Sequence, residues 1–298
     1  MRRSWALAVV LVAGVTLGAG ARPVDEPLET GGRVGAVQWT GTGGEDPRPT
    51  GQIGADRSWR LTFHDEFDAS GLDSTVWARC YWWAEDTCTN ASNRELQCYV
   101  PDGVRVDEGT LHLSAVEAVT ECEGQSFGYR SGMISGVARG GPRQVFQHGF
   151  FEMRARVPSG RGLLPAFWLL PASEASEPEI DVMEILGDTP EVVRMHYHWR
   201  DEDGEERTIG ADWAGEDMSA GWHTFAVHWT PRLVRWFVDG VPRWTVTADE
   251  APLPREPMYV LATLAVGGDY PGSPDGDTAF PATFEIDYIR VWREGRGR

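Results

Sequence analysis

The strongest chemical feature of the chain is the run 179–184, EIDVME, in which carboxylates alternate with apolar residues. Such alternation is typical of a β-strand with one buried face. Because burying several acids side by side is costly, packing alone would not select this pattern. One of Glu179 and Glu184 could serve as the nucleophile and the other as the general acid of glycosidic bond cleavage, with Asp181 between them. An acidic strand edge facing solvent, or a calcium-binding cluster, would give a similar pattern.

The spacing of these acids predicts an irregular strand. Glu179 and Glu184 are five residues apart, so a regular strand would turn them to opposite faces. One extra residue near Val182 or Met183, a β-bulge, returns Glu184 to the face of Glu179 and Asp181. The Cα atoms of the two glutamates would then be about 13 Å apart. Their carboxyl groups could approach to about 5–6 Å, the separation found in retaining glycosidases.

The elements that must position these acids are strands. Residues 151–157 alternate, with Phe151, Met153, Ala155 and Val157 on one face. Residues 234–238 and 241–246 flank Asp239-Gly240, which is typical of a tight β-hairpin. No long segment has helical periodicity, and no internal repeat is visible. The pattern predicts a single all-β sandwich or barrel.

The chain divides into three segments. Residues 1–21 predict a signal peptide, because two arginines precede a short apolar run that ends in Ala19-Gly20-Ala21. Residues 22–57 are rich in Gly, Pro and Thr and predict a disordered linker. The folded domain should span 58–294. We therefore expect a secreted protein with no membrane association after cleavage.

The composition and net charge of the chain disfavour some classes of binding partner. The 298 residues carry a net charge of -18, and the chain contains no lysine, which is typical of a GC-rich bacterium. Nucleic acid and anionic membranes are poor partners for such a chain, whereas a neutral polysaccharide is not repelled. In an exported chain, four cysteines indicate two disulfides. Three pairings are possible, and short loops favour Cys80 with Cys88 and Cys98 with Cys122.

The sequence closely resembles glycoside hydrolase family 16 in its bulged form, whose motif E-x-D-x-x-E is matched by the three acids. The resemblance covers nearly the whole predicted domain. Five further blocks match in order: 65–67 (DEF), 93–97 (NRELQ), 165–168 (PAFW), 264–268 (LAVGG) and 286–291 (IDYIRV).

This resemblance implies a concanavalin-like jelly-roll sandwich of two curved antiparallel sheets, with the glycan across the concave face. It implies that Glu179 is the nucleophile, Glu184 the acid/base and Asp181 the residue that orients the nucleophile. No catalytic cofactor is implied. The substrate implied is a β-1,3-glucan such as laminarin, cleaved within the chain. A monomer is the simple expectation for a secreted depolymerase. A lichenase acting on mixed-linkage glucan and a non-catalytic glucan-binding protein are the alternatives.

Matching blocks also imply substrate-binding residues. They are Asn93 as a sugar-binding amide, Arg154 as a cleft arginine, Trp168 as a stacking platform and His198 as a hydrogen-bonding partner. Three of them have a structural alternative: Arg154 could pair with an acid on its own sheet face, Trp168 could be a core residue, and His198 could be a structural hydrogen-bonder. His196 is the rival of His198 for the functional role.

The family often holds a structural calcium ion away from the cleft. The matching positions here are Glu66, the Gly109 backbone and Asp287, although a solvated pair of acids would look identical in sequence. Two departures affect the substrate surface. Leu164 stands where many members have tryptophan, so that one stacking surface is missing or supplied elsewhere, and Thr263 replaces a common asparagine.

Overall fold

The computed structural model describes residues 47–51, 58–84 and 86–295; the predicted signal peptide and most of the predicted linker lie outside them. Within this part, two short 3-10 helices occur at Ala91–Asn93 and Pro101–Gly103. No helix in the described ranges is long and apolar enough to cross a membrane. The strands in chain order are β1 (Trp59–Asp65), β2 (Gln97–Tyr99), β3 (Val104–Asp107), β4 (Thr110–Cys122), β5 (Gln125–Ser131), β6 (Met133–Ser135), β7 (Val137–Ala138), β8 (Gly141–Pro142), β9 (Gly149–Arg156), β10 (Leu163–Pro171), β11 (Glu179–Glu184), β12 (Val192–Arg200), β13 (Glu206–Ala214), β14 (His223–Trp229), β15 (Leu233–Val238), β16 (Val241–Thr247), β17 (Met258–Val266) and β18 (Ala282–Glu294).

Two large sheets form the domain. The ten-stranded sheet has the order β16-β15-β14-β9-β18-β4-β5-β2, with β1 paired to β18 and β3 to β4. The six-stranded sheet has the order β13-β12-β11-β10-β17-β6, and all of its ladders are antiparallel. In the ten-stranded sheet, β2 and β5 pair in parallel.

One apolar core joins the two sheets. Phe151, Met153 and Ala155 of β9 face it, as their alternation predicted, and so do Ile180 of β11 and Tyr197 of β12 from the other sheet. Because each strand turns alternate residues inward, the intervening residues lie on the outer faces of the sandwich. The predicted all-β jelly-roll sandwich is confirmed.

Two local predictions are also confirmed. Asp239 and Gly240 join β15 to β16 with positive φ angles of 50° and 71°, the backbone that a two-residue hairpin turn requires. Disulfides link Cys80 to Cys88 and Cys98 to Cys122, with Cα atoms 5.8 and 5.9 Å apart.

The described end of the predicted linker lies against the domain. The Pro47 carbonyl accepts a hydrogen bond of 2.7 Å from the Trp292 indole, and Thr50 donates to the carboxylate of Glu152 through its backbone N–H and its hydroxyl. Glu152 is fully buried, so its charge needs donors of this kind. Residues 47–51 therefore contact the folded domain, and the rest of the predicted linker lies outside the described residues.

Candidate active site

The candidate catalytic residues lie on β11, which contains the predicted bulge. In the ladder with β10, Phe167 pairs with Met183, but Trp168 pairs with Asp181, so that Val182 has no partner. Val182 and Met183 are neighbours, yet both lie in the core, at 1% and 0% exposure. A regular strand would send only one of them inward, so the bulge accounts for the burial of both.

The bulge gathers three carboxylates on one surface. Glu179, Asp181 and Glu184 all point away from the core, on the open face of the six-stranded sheet. Asp181 is buried at 4% exposure, and the two glutamates are half-buried. The predicted grouping of the three acids is therefore present.

Strand β12 supplies two histidines to this surface. In the ladder, His198 pairs with Glu179 and His196 with Asp181. His196 Nδ1 lies 2.6 Å from Glu184 Oε2 in a hydrogen bond. His198 Nε2 lies 3.0 Å from Asp181 Oδ2 but without hydrogen-bond geometry, and its Nδ1 is 2.7 Å from the Thr208 hydroxyl. Each histidine thus faces a different carboxylate.

Crowding of the acids shifts their protonation. Burial, followed by the charge of Asp181 and a hydrogen bond with it, raises the pKa of Glu179 well above its usual range. Burial and the charge of Asp181 also raise the pKa of Glu184, although the His196 hydrogen bond lowers it in part. Such a cluster holds protons at a pH where isolated carboxyls are ionised, as a general acid requires.

The pKa values of the two histidines shift in the opposite direction to the shift that burial alone gives an imidazole. Burial is the largest single cause and lowers the pKa of each. For His196, the hydrogen bond to Glu184 and the nearby carboxylate charges together outweigh burial, and for His198 the contact with Asp181 and the charges of Asp181 and Glu184 together do so. Both pKa values are raised overall. The histidines can therefore supply positive charge to the carboxylate cluster.

Aromatic rings border the acids on the β10 side. Trp168 is half-buried beside Asp181, and Tyr81 meets it edge-on at 6.3 Å between ring centroids. Trp83 stacks on Tyr81 at 4.3 Å with 9° between the planes. Trp168 is thus partly packed, yet it shares the face of the acids, as a sugar platform requires.

A loop borders the acids on the β12 side. Tyr270 lies 6.4 Å from His196 between ring centroids. The Asn93 carbonyl accepts a hydrogen bond from the Asp269 N–H, and Arg94 forms an ion pair with Asp269. Asn93 is exposed at this rim, where the structure places it near but not among the acids.

Arg154 requires a correction. It lies on β9, on the outer face of the ten-stranded sheet, and its guanidinium is 2.6 Å from Asp287 and stacks on Trp222. The acids occupy the outer face of the other sheet, across the core. Arg154 is therefore not a cleft arginine; it pairs with an acid on its own sheet face.

The residues predicted to hold calcium do not fit that ion as arranged. Glu66 accepts two hydrogen bonds from Arg290, at 2.9 and 2.7 Å, and Asp287 is paired with Arg154. Gly109 forms the turn between β3 and β4. A calcium ion would have to displace arginines from both carboxylates, so the structure assigns these acids to ion pairs.

A different set of side chains has metal-ligand spacing. One potential ligand atom from each of Asp181, His196 and His198 lies within 4.8 Å of the others. Two imidazoles and a carboxylate suit a zinc-like ion rather than calcium. Because each histidine already faces a carboxylate, we assign both to positioning the acids.

Sequence reasoning missed three aromatic residues. Tyr81 and Trp83 lie within the loop that the Cys80–Cys88 disulfide closes, and Tyr270 lies two residues after the matched block 264–268. The disulfide spacing and the position after that block were the available signals. Of the two departures from the family pattern, Leu164 lies on the open face of β10, and Thr263 pairs with Ala166.

Comparison with known proteins agrees with this geometry. The profile of Glycosyl hydrolases family 16 matches residues 92–290. A beta-glucanase of Rhodothermus marinus is 34% identical over 271 residues, covering 81% of this chain and 89% of the relative. An endo-1,3-1,4-beta-glycanase of Rhizobium meliloti (strain 1021) is 34% identical over 246 residues, covering 78% of this chain. This chain spans only 51% of that relative's length.

Solved structures show the same fold. The endo-beta-1,3-glucanase of Pyrococcus furiosus superimposes with a TM-score of 0.70 at 29% identity, covering 84% of this chain and 100% of the other. The three acids of β11 thus occupy a fold shared with known glucanases. The chain belongs to glycosyl hydrolase family 16.

Proposed function

We propose that this chain is a secreted, endo-acting β-1,3-glucanase that retains anomeric configuration. The observation that carries the proposal is the grouping of Glu179, Asp181 and Glu184 on one face by the bulge of β11. A glycan-cleaving role accounts for both this grouping and the adjacent aromatic rings.

In the first step, the Glu179 carboxylate attacks the anomeric carbon while Glu184 donates its proton to the departing glycosidic oxygen. The C–O bond to the leaving sugar breaks, and an ester to Glu179 forms. In the second step, Glu184 takes a proton from water as the water oxygen attacks the anomeric carbon and displaces the Glu179 carboxylate, and this proton leaves Glu184 in its acid form for the next cycle. The pKa values of both glutamates are raised, so their assignment as nucleophile and acid/base rests on the match to the family motif.

Asp181 prepares Glu179 for attack. A hydrogen bond between the two carboxyl groups is among the causes that raise the pKa of Glu179. The shared proton must reside on Asp181 when Glu179 attacks, because only the carboxylate is a nucleophile. His198, 3.0 Å from Asp181, orients that carboxyl. These groups supply the whole reaction, so no catalytic cofactor is required.

The substrate assignment draws on charge and on relatives. A net charge of -18 favours a neutral glycan over a sulfated one. A relative from Cryptopygus antarcticus, 29% identical and covered over 92% of its length, is named glucan endo-1,3-beta-glucosidase. Secretion and a monomeric state complete the proposal; sequencing the N-terminus of exported protein would test cleavage after residue 21.

A second candidate function is a lichenase. Two Rhizobium meliloti relatives, 34% and 33% identical, are named endo-1,3-1,4-beta-glycanases. A non-catalytic glucan-binding protein is the third candidate, and the presence of both glutamates argues against it.

One experiment separates these functions. The mature protein and its Glu179→Gln and Glu184→Gln variants would be assayed for reducing-sugar release from laminarin, lichenan and agarose. We expect laminarin to be cleaved fastest and either substitution to lower the rate by about 10³-fold or more. Glu285→Gln, on the outer face beside Arg156, is the matched control. Faster cleavage of lichenan would favour a lichenase, and binding without cleavage a binding protein.

A further inference from the structure

Asp181 has one carboxylate oxygen that no hydrogen bond satisfies. The residue is only 4% exposed, and none of the described residues gives its Oδ2 atom a hydrogen bond. Buried carboxylate oxygens normally have donors, because a buried charge without partners is costly. The oxygen is therefore available to a positively charged ligand that the protein itself does not supply.

His198 places a nitrogen beside the same oxygen. Its Nε2 lies 3.0 Å from Asp181 Oδ2, without the geometry of a hydrogen bond. Its Nδ1 lies 2.7 Å from the Thr208 hydroxyl, which can accept the ring proton. A neutral imidazole that donates from Nδ1 has a lone pair on Nε2, as in histidines that bind metal ions. The 3.0 Å separation is close to the roughly 3.3 Å between two ligands of a tetrahedral zinc ion.

His196 brings a third potential ligand to this point. One ligand atom from each of Asp181, His196 and His198 lies within 4.8 Å of the other two, and no other group of three such side chains occurs among the described residues. Gly210 lies opposite His196 in the ladder of β12 with β13, where a Cβ atom would collide with the imidazole. The glycine therefore leaves room for the ring in the position that brings it near Asp181.

We propose that Asp181, His196 and His198 form an inhibitory site for a zinc-class divalent ion. Two imidazoles and one carboxylate suit Zn²⁺ with water as a fourth ligand, whereas calcium prefers oxygen ligands alone. Without metal, the histidines position the acids; the ion competes for the same side chains. An Asp181 carboxylate held by the ion no longer orients Glu179 for attack. Zinc binding is independent of the substrate, and only the inhibition rests on the proposed function.

Zinc binding can be measured without any glycan. Calorimetric titration of the mature protein with ZnCl2, in a buffer that does not chelate metals, should show one ion per chain. His198→Gln and Asp181→Asn each remove a ligand and should weaken binding at least about tenfold. Thr208→Val removes the acceptor of the His198 ring proton and should weaken binding about tenfold. His223→Gln, which breaks a histidine–carboxylate pair with Asp239 at 2.9 Å outside this group, is the matched control and should bind zinc as the wild type does.

Laminarin hydrolysis tests the inhibition separately. Zinc at the concentration that saturates the calorimetric site should lower reducing-sugar release at least about tenfold, and a chelator should restore it. An absence of saturable zinc binding, or equal affinity in the wild type, His198→Gln and Thr208→Val, all shown to be folded by circular dichroism, would overturn the site. Full hydrolysis with the site saturated would overturn the inhibitory role. If zinc binds as expected to a protein that cleaves no glucan, the site stands and the proposed function fails.

Discussion

At the residue scale, each of the two histidines contacts a different carboxyl group of the catalytic cluster. His196 contacts Glu184, and His198 contacts Asp181. From the sequence, His196 and His198 are rivals for one functional role. The structure shows that each contacts a different acid, because the register between β11 and β12 places them so. The spacing of the acids predicts the bulge in β11, but no local pattern contains the register of β11 against β12.

The pH profile of a His196 variant tests this division. His196→Phe removes the hydrogen bond that lowers the pKa of Glu184, so this pKa should rise further. Because the acid must be protonated, the alkaline limb of kcat/KM should move to higher pH. His196→Asn, whose amide can replace the Nδ1 donor, should restore the wild-type limb. An unchanged limb in His196→Phe would show that this hydrogen bond does not tune the acid.

At the element scale, alternation predicted the inward faces of β9 and the chemistry of β11, but not which sheet carries which strand. Arg154 shows what alternation cannot predict. The sequence indicates which face of β9 carries Arg154, but its position on the sheet opposite the acids follows from the long-range pairing of β9 with β14 and β18. Strand faces are local properties, and sheet membership is not.

The ion pair between Glu66 and Arg290 joins the end of β1 to β18, and its removal can be measured. Burial raises the pKa of Glu66, but hydrogen bonds from His64 and Arg290 outweigh it, and the net pKa is lowered. Glu66→Gln should therefore lower the free energy of unfolding by about 1 kcal/mol at neutral pH, a modest loss because the pair is partly solvated. A carboxyl group whose pKa is lowered in the folded protein stabilises the fold at pH values above the ordinary carboxyl pKa. The stability lost in Glu66→Gln should therefore become smaller as the pH falls through the pKa of Glu66.

Urea unfolding at neutral and acidic pH would measure this loss, with calcium or with a chelator present. An equal loss in both conditions is expected for an ion pair. A loss that appears only with calcium would instead support the metal site that the family resemblance implies.

At the scale of the whole molecule, the segment 47–51 completes the outer face of the ten-stranded sheet. Glu152 receives hydrogen bonds from Thr50 and from the Tyr288 hydroxyl, at 2.9 Å for the latter. Composition predicted a disordered linker over residues 22–57, of which the structure describes only residues 47–51. Composition could not show that this segment donates hydrogen bonds to the buried Glu152 of β9, because in the sequence Glu152 looks like an ordinary residue on the outer face of its strand.

Thr50→Val tests whether this contact stabilises the domain. The substitution removes a hydroxyl donor from a buried carboxylate and should lower the free energy of unfolding by about 1–2 kcal/mol. Tyr288→Phe, which removes the other side-chain donor, should have a similar effect. Chemical denaturation of both variants would measure it, and wild-type stability in Thr50→Val would mean that the segment does not contribute.

The central claim is that Glu179 attacks the sugar and Glu184 protonates the leaving group. Azide rescue tests both roles, using Glu179→Ala and Glu184→Ala with a dinitrophenyl β-laminarioligoside, whose leaving group needs no acid. Azide should replace the nucleophile in Glu179→Ala and give the α-glycosyl azide. In Glu184→Ala it should intercept the glycosyl-enzyme and give the β-glycosyl azide. Exchanged products would reverse the two assignments, and full activity of either variant on laminarin without azide would contradict the account.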